Sequence, residues 1–119
     1  MTPENTAKLY SAFPRLYRGK DKNPQESLMC WGFECGDGWF ELIWKLSTDI
    51  ENAAKCEGLD PDGDEWPEAV QVKQKYGALR FYVRNASDAI RNLIARAVEE
   101  SGRICEASGK SRPADFGEL

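Results

Sequence analysis

The chain of 119 residues contains no histidine. That removes the side chain most often used as a general base near neutral pH, and with it the Ser-His-Asp and Cys-His arrangements and every imidazole metal ligand. Long apolar runs are also missing. No stretch approaches the roughly 20 residues needed to span a bilayer, and the first ten residues, MTPENTAKLY, lack the apolar core of a secretory signal. A cytoplasmic location with reduced thiols is therefore expected. The four cysteines, at 30, 35, 56 and 105, lack paired CxxC spacing. An all-cysteine zinc site would need every one of them, so buried small hydrophobes are the expected role for most of these cysteines. Positive charge is in deficit: 16 Lys and Arg against 20 Asp and Glu leave a net charge of −4, which disfavours general nucleic-acid binding.

Hydrophobic residues make up 41% of the chain and charged residues 30%. This is the composition of a folded domain and not of a disordered one. The length suits one domain, expected over 1–110, with 111–119 as a loosely ordered tail.

The most informative stretch is Ala69–Arg84, AVQVKQKYGALRFYVR. Val70 and Val72 alternate with Gln71, Lys73 and Lys75; Leu79, Phe81 and Val83 alternate with Arg80, Tyr82 and Arg84. Period two predicts two strands with an aliphatic face and a basic face. Gly77 marks the connection, expected to be a tight turn or a loop of three to five residues. A hairpin alone is not stable in water, so neighbouring helices must cover its aliphatic side.

Those helices are legible. Thr2-Pro3-Glu4 is a helix start with a capping hydroxyl, and Pro14 keeps that helix short. Polar residues 18–27 read as an exposed loop, and Leu28–Phe33 as a short strand with a bend at Gly32. Trp39, Ile43, Leu46, Ile50 and Ala53 form one stripe of a helix from about Gly38 to Glu57. Asp37 is expected to cap that helix. The Gly36-Asp37-Gly38 turn is also a weak anion-loop candidate. Phe40 and Trp44 fall off the stripe and either widen the buried face or stand as exposed anchors. Ala86, Ile90, Leu93 and Ala97 predict a last helix, capped by Asn85 or Ser87 and stopped at Ser101-Gly102. The fold class is α+β: a small antiparallel sheet, the central hairpin, against two long amphipathic helices, plus a short N-terminal helix.

Between the second helix and the hairpin lies LDPDGDEWPE. Asp60, Asp62 and Asp64 have the one-three-five spacing of a calcium loop. The match then fails, because glycine comes at the fourth position and Gln71 at the twelfth. No metal and no cofactor are expected. Trp66 in this loop is placed to cover the sheet edge or to meet a partner.

Three segments carry a resemblance: FECGDGWFELIWKL (33–46), VKQKYGALRFYV (72–83) and ESGRICEASGK (100–110). In this order they resemble a family of small uncharacterised proteins encoded by bacteriophages and prophages, over roughly residues 9–110. In longer members the third segment reads CxxCG and opens a zinc-knuckle-like tail. Here Cys105 matches the first cysteine, while Ser108 stands at the second. The resemblance implies a phage origin, a bacterial host cytoplasm and no established activity; the departure at Ser108 puts zinc in doubt here and points to the helix–hairpin–helix body as the functional part.

The expected activity is non-catalytic: binding to a host or phage protein and modulating it, with counter-defence inhibition as one form. The expected contact residues are Lys73, Lys75, Arg80 and Tyr82 on the hairpin, and Asp37, Asp60, Asp62, Asp64 and Trp66 in the loops. The alternative is a nucleic-acid-binding module that uses the basic, tyrosine-bearing sheet face. A homodimer through an exposed helix stripe is a further option.

Overall fold

The computed structural model describes residues 1–111. Helix α1 runs Pro3–Ala12, α2 Phe40–Cys56 and α3 Asp88–Ser101; strands are β1 Phe33–Glu34, β2 Glu68–Lys75 and β3 Ala78–Arg84. The sheet order is β1-β2-β3. This is the expected α+β fold, with one difference in the sheet. The strand expected over Leu28–Phe33 is mostly a 3-10 turn, Leu28–Trp31. Only Phe33 and Glu34 pair, and they run parallel to β2. Gly32, at φ +76, makes the bend that turns the chain into this short strand. Of the loose tail expected over 111–119, Ser111 instead forms a bridge with Ile104, and 112–119 lie outside the described residues.

The hairpin closes with two residues. Tyr76 at φ 55 and Gly77 at φ 78 both adopt the left-handed conformation, which defines a type I′ turn. Register then fixes which side chains share a face. Val72 lies opposite Phe81, and Leu79 opposite Gln74, on the core side. Lys73 lies opposite Arg80, and Gln71 opposite Tyr82, on the other side. A bulge between Ala69 and Gln71 breaks the alternation expected for Val70. The extra residue shifts the phase by one. Ala69 becomes the buried residue, and Val70 joins the outer face.

The core is one cluster. Phe33, Ala69, Val72, Leu79 and Phe81 of the sheet meet Trp39, Ile43, Leu46 and Ile50 from the α2 region, Ile90 and Ala97 of α3, and Leu9, Phe13, Leu16 and Tyr17 from the N-terminal part. Two buried hydroxyls pin elements inside it. The Ser47 hydroxyl donates to the Ile43 carbonyl, so the Tyr17 hydroxyl donates to Ser47 Oγ at 2.6 Å. Ser101 Oγ accepts from the Leu79 N–H at 2.9 Å and ties the end of α3 to the start of β3.

A second organising contact joins distant segments. Residues 104–111 are not a loose extension of α3. Ile104 and Ser111 form a bridge, the Cys105 N–H donates to the Lys110 carbonyl, and the Gly109 N–H donates to the Cys105 carbonyl. This turn lies on Gly36-Asp37-Gly38. The Gly36 N–H donates to the Glu106 carboxylate at 2.9 Å, and the Gly38 N–H to the Glu106 carbonyl. The Trp39 indole N–H donates to the Ile104 carbonyl at 2.9 Å. A methyl group at Gly36 would run into the Glu106 carbonyl oxygen, and one at Gly38 into the carbonyl oxygens of both Cys105 and Glu106.

Replacing Gly38 by alanine therefore forces two backbones apart. Gly38→Ala is expected to cost about 1–3 kcal/mol in denaturant unfolding. Gly102→Ala, where an added carbon meets only an ordinary contact at 3.5 Å, is the control and should change little. Equal midpoints for the two variants would show that the turn docks without close approach.

Candidate functional site: the outer face of the hairpin

The four hairpin residues expected to meet a partner do share one face. Lys73 and Arg80 are half-buried and directly opposite; Tyr82 is 48% exposed beside them; Lys75 stands exposed at the tip. The Lys75 ammonium sits 5.5 Å from the centroid of the exposed Tyr76 ring. One carboxylate shares the face, because the β1 register puts Glu34 beside Lys73, and Glu34 Oε1 accepts from Gln71 Nε2 at 3.5 Å. The stripe therefore keeps a positive excess.

At its far end the outer face is partly covered. The segment expected to be an exposed polar loop at 18–27 is a folded cover, with Gly19 and Ser27 buried. It closes over Glu68, which lies opposite Arg84 in the strand register and is buried. Lys22 Nζ reaches Glu68 Oε2 at 2.9 Å, and Arg18 Nη2 reaches Oε1 at 3.6 Å. Arg18 is anchored further by the carbonyls of Arg15, Trp66 and Pro67. Burial pulls its pKa down, and Glu68 opposes that shift. A buried carboxylate needs such partners, since its desolvation costs several kcal/mol. Sequence reasoning missed this cluster, because Glu68 looks like one more acid in an acidic loop. Between the cover and the strands a shallow groove of about 290 Å³ is lined by Pro24, Leu28, Val70, Gln71, Tyr82 and Arg84, among others.

The loop residues do not join this face. Asp37 was expected to cap α2 and to contact a partner. Instead its carboxylate accepts from the Thr2 N–H at 2.8 Å and from Asn5 Nδ2 at 3.1 Å, tying down the start of α1. The hydrogen bond from the Thr2 backbone is the main reason its pKa lies below the usual carboxylate value. Glu106 takes the N–H groups of Gly36 and Gly38 that a bound anion would need, the first with its carboxylate and the second with its carbonyl. Asp60 accepts from the Asp62 N–H at 3.0 Å, a local turn. Asp62 comes within 3.9 Å of Arg15, and the Asp64 carbonyl accepts from Asn85 Nδ2 at 2.8 Å. Asp60, Asp62 and Asp64 are exposed, on a loop separate from the hairpin stripe. No cluster of three or more acidic or cysteine ligands fit to hold a metal occurs among the described residues.

Trp66 is buried, so it is core and not a docking anchor. Its indole N–H makes no hydrogen bond of ordinary length. The Glu51 carboxyl is its polar neighbour, without a formed hydrogen bond between them. Burial raises the Glu51 pKa, with Trp66, the Leu16 N–H and Lys55 pulling the other way.

Burial was expected for most of the cysteines, but only Cys35 is buried; Cys30 and Cys56 are exposed and Cys105 is half-buried. Burial pushes the Cys35 thiol up to about 12 and the Tyr10 phenol, whose hydroxyl donates to the Met29 carbonyl, up to about 12. Burial raises Tyr17 as well. All three stay protonated at neutral pH, which makes Cys35 a poor nucleophile. Among the described residues no helix is long and apolar enough to cross a membrane.

Comparison with protein-family models, curated proteins and solved structures gives no match.

The Glu51 environment makes a pH prediction. A carboxyl whose folded pKa is raised destabilises the fold when ionised. That penalty is complete above the raised value and disappears below the unfolded value of 4.5. Glu51→Gln should therefore melt higher than the parent at neutral pH, with the two curves converging in acid. A variant no more stable at neutral pH would mean that the burial penalty is not there.

Proposed function

We propose that this chain is a non-catalytic, phage-encoded binding protein that docks on a host or phage protein in the bacterial cytoplasm and alters its activity. Counter-defence inhibition is one form of that activity. The contact surface is the outer face of the hairpin. One observation carries the reading: a chain of net charge −4 gathers Lys73, Lys75 and Arg80 around a half-exposed Tyr82 on one rigid sheet face. Sheet faces hold side chains in fixed register, which suits recognition better than a loop does. Tyrosine and arginine, here Tyr82 and Arg80, are residue types enriched at protein interfaces.

A second reading draws on the same tyrosine. Aromatic side chains on strands stack unpaired bases, and the neighbouring cations would track a phosphate backbone. The net charge of the chain weighs against it, and its affinity would fall steeply with salt.

The test is capture of the tagged chain from bacterial lysate, with and without nuclease, read by mass spectrometry. One stoichiometric protein that survives nuclease is expected. Arg80→Glu should reduce its recovery by about tenfold or more while the thermal unfolding curve stays put. Recovery lost on nuclease treatment would transfer the surface to nucleic acid. Undiminished capture by Arg80→Glu would remove the hairpin face from consideration.

A further inference from the structure

Strand β3 is an edge of the sheet; among the described residues β2 is its one strand partner. One hydrogen bond shows which of its backbone groups face outward. Leu79 lies opposite Gln74, yet its N–H goes to Ser101 Oγ and not to β2. In an antiparallel pair the backbone groups of successive residues turn alternately toward the partner strand and away from it. The bulge between Ala69 and Gln71 sits in β2, so β3 keeps its own alternation. The N–H and C=O groups of Phe81 and Val83 therefore point outward with those of Leu79. Ser101 closes the Leu79 N–H. Among the described residues no turn, loop or side chain takes the N–H of Phe81 or of Val83. Beyond Arg84 the chain bends away at Asn85, φ 63, toward α3. A short open edge remains, centred on Phe81 and Val83.

Its two faces differ. The outer face of β3 carries Arg80, Tyr82 and Arg84, with Tyr82 and Arg84 exposed. The strand, ALRFYVR, holds no carboxylate of its own. On the core face Val83 packs against the core and is still half-exposed.

We propose that this edge takes an extended acidic segment of the partner as a further strand, one in which carboxylates alternate with apolar residues. Backbone bonds to Phe81 and Val83 supply the pairing, and alternate side chains supply the specificity. Side chains of an added strand stand about 4.5–5.5 Å from those they oppose. Its carboxylates face Arg80 and Arg84, and its apolar residues lie beside Val83. Opposite charges across a strand pair are favourable, and like charges opposed are not. The same rule turns away a second copy of this chain, because β3 set against another β3 gathers the arginines of both on one face. Charged side chains on an edge keep sheets from joining indiscriminately. Here they are of one sign, so they reject a like strand and admit an acidic one. The inference rests on the hairpin as the contact surface, and adds to it the edge and the form of the partner.

The probe is a short synthetic peptide that alternates glutamate with valine, titrated into the full chain. Binding is read by fluorescence anisotropy of the labelled peptide and by exchange of individual backbone amides. The Phe81 and Val83 amides should exchange more slowly in the complex. The Leu79 amide, already closed by Ser101, should change little. A peptide methylated on every backbone nitrogen keeps the charges and loses the donors; it should bind at least about tenfold more weakly. A peptide with lysine for glutamate should not bind. Val83→Pro removes one outward N–H at an edge position that tolerates proline, and should also weaken binding by about tenfold. Its unfolding curve reports whether the sheet survives, and the methylated peptide decides the matter if it does not. No binding of the glutamate peptide, or binding that leaves the Phe81 and Val83 amides unprotected, overturns the proposal. So does equal binding of the methylated peptide. Capture of a protein from lysate that Arg80→Glu abolishes would then still uphold the hairpin face, so the two readings fail separately.

Discussion

Two glycines let two backbones touch, and most of the architecture depends on that contact. Gly36 and Gly38 accept the turn at 105–109 only because neither carries a side chain in its way. The consequences spread from there. Glu106 takes both glycine N–H groups ahead of α2, its carboxylate accepting from Gly36 and its carbonyl from Gly38. The Trp39 indole closes over the turn through Ile104. With those N–H groups taken by Glu106, Asp37 holds the start of α1. Upstream, the same segment supplies Phe33 and Glu34 to the sheet. A strand of two residues has almost no stability of its own. Its parallel pairing with β2 persists because the chain on its C-terminal side is fixed to a turn some 70 residues away.

That contact also explains what could and could not be read from the sequence. Periodicity located α2, α3 and the hairpin, because each buries a stripe against the same core, while α1, which buries only Leu9, was located by its Thr2-Pro3 start and by Pro14. The Tyr-Gly connection is a weak turn signal, yet it forms a two-residue turn; Tyr76 adopts a positive φ that the twist of the paired strands demands. What was hidden depends on partners distant in sequence. A glycine pair around an aspartate reads locally as a capped helix or an anion loop, and nothing nearby reveals that Glu106 takes its N–H groups. The bulge at Val70 is equally invisible, since a sequence with one extra strand residue still alternates on either side of it. Glu68 and Trp66 were misplaced for the same reason. They belong to an acidic stretch whose end is drawn inward by Arg18 and Lys22, residues in a segment that looks like plain solvent-exposed loop. The candidate site was the more legible part, because Lys73, Lys75, Arg80 and Tyr82 follow from period two and need no distant partner.

Charge is sorted by the fold and not by composition. The acids at Asp60, Asp62, Asp64 and Glu65 occupy one exposed loop, while the outer sheet face keeps an excess of cations. The strand itself supplies one carboxylate that would dilute this face, Glu68, and the 18–27 segment covers it. Removing a carboxylate from solvent into a pair of cations costs desolvation that its partners only roughly repay. The arrangement is therefore better understood as shaping the surface than as stabilising the core. It leaves Tyr82 and Val70 beside a groove, with Lys73 and Arg80 adjoining, instead of a mixed-charge end.

The helical side and the outer sheet side are chemically unlike, and this bears on how the chain would act. One offers the apolar hollow at Phe40 and Trp44 and a groove whose rim carries both signs; the other offers cations around a single ring. Because the core lies between them, binding on one side leaves the other unobstructed.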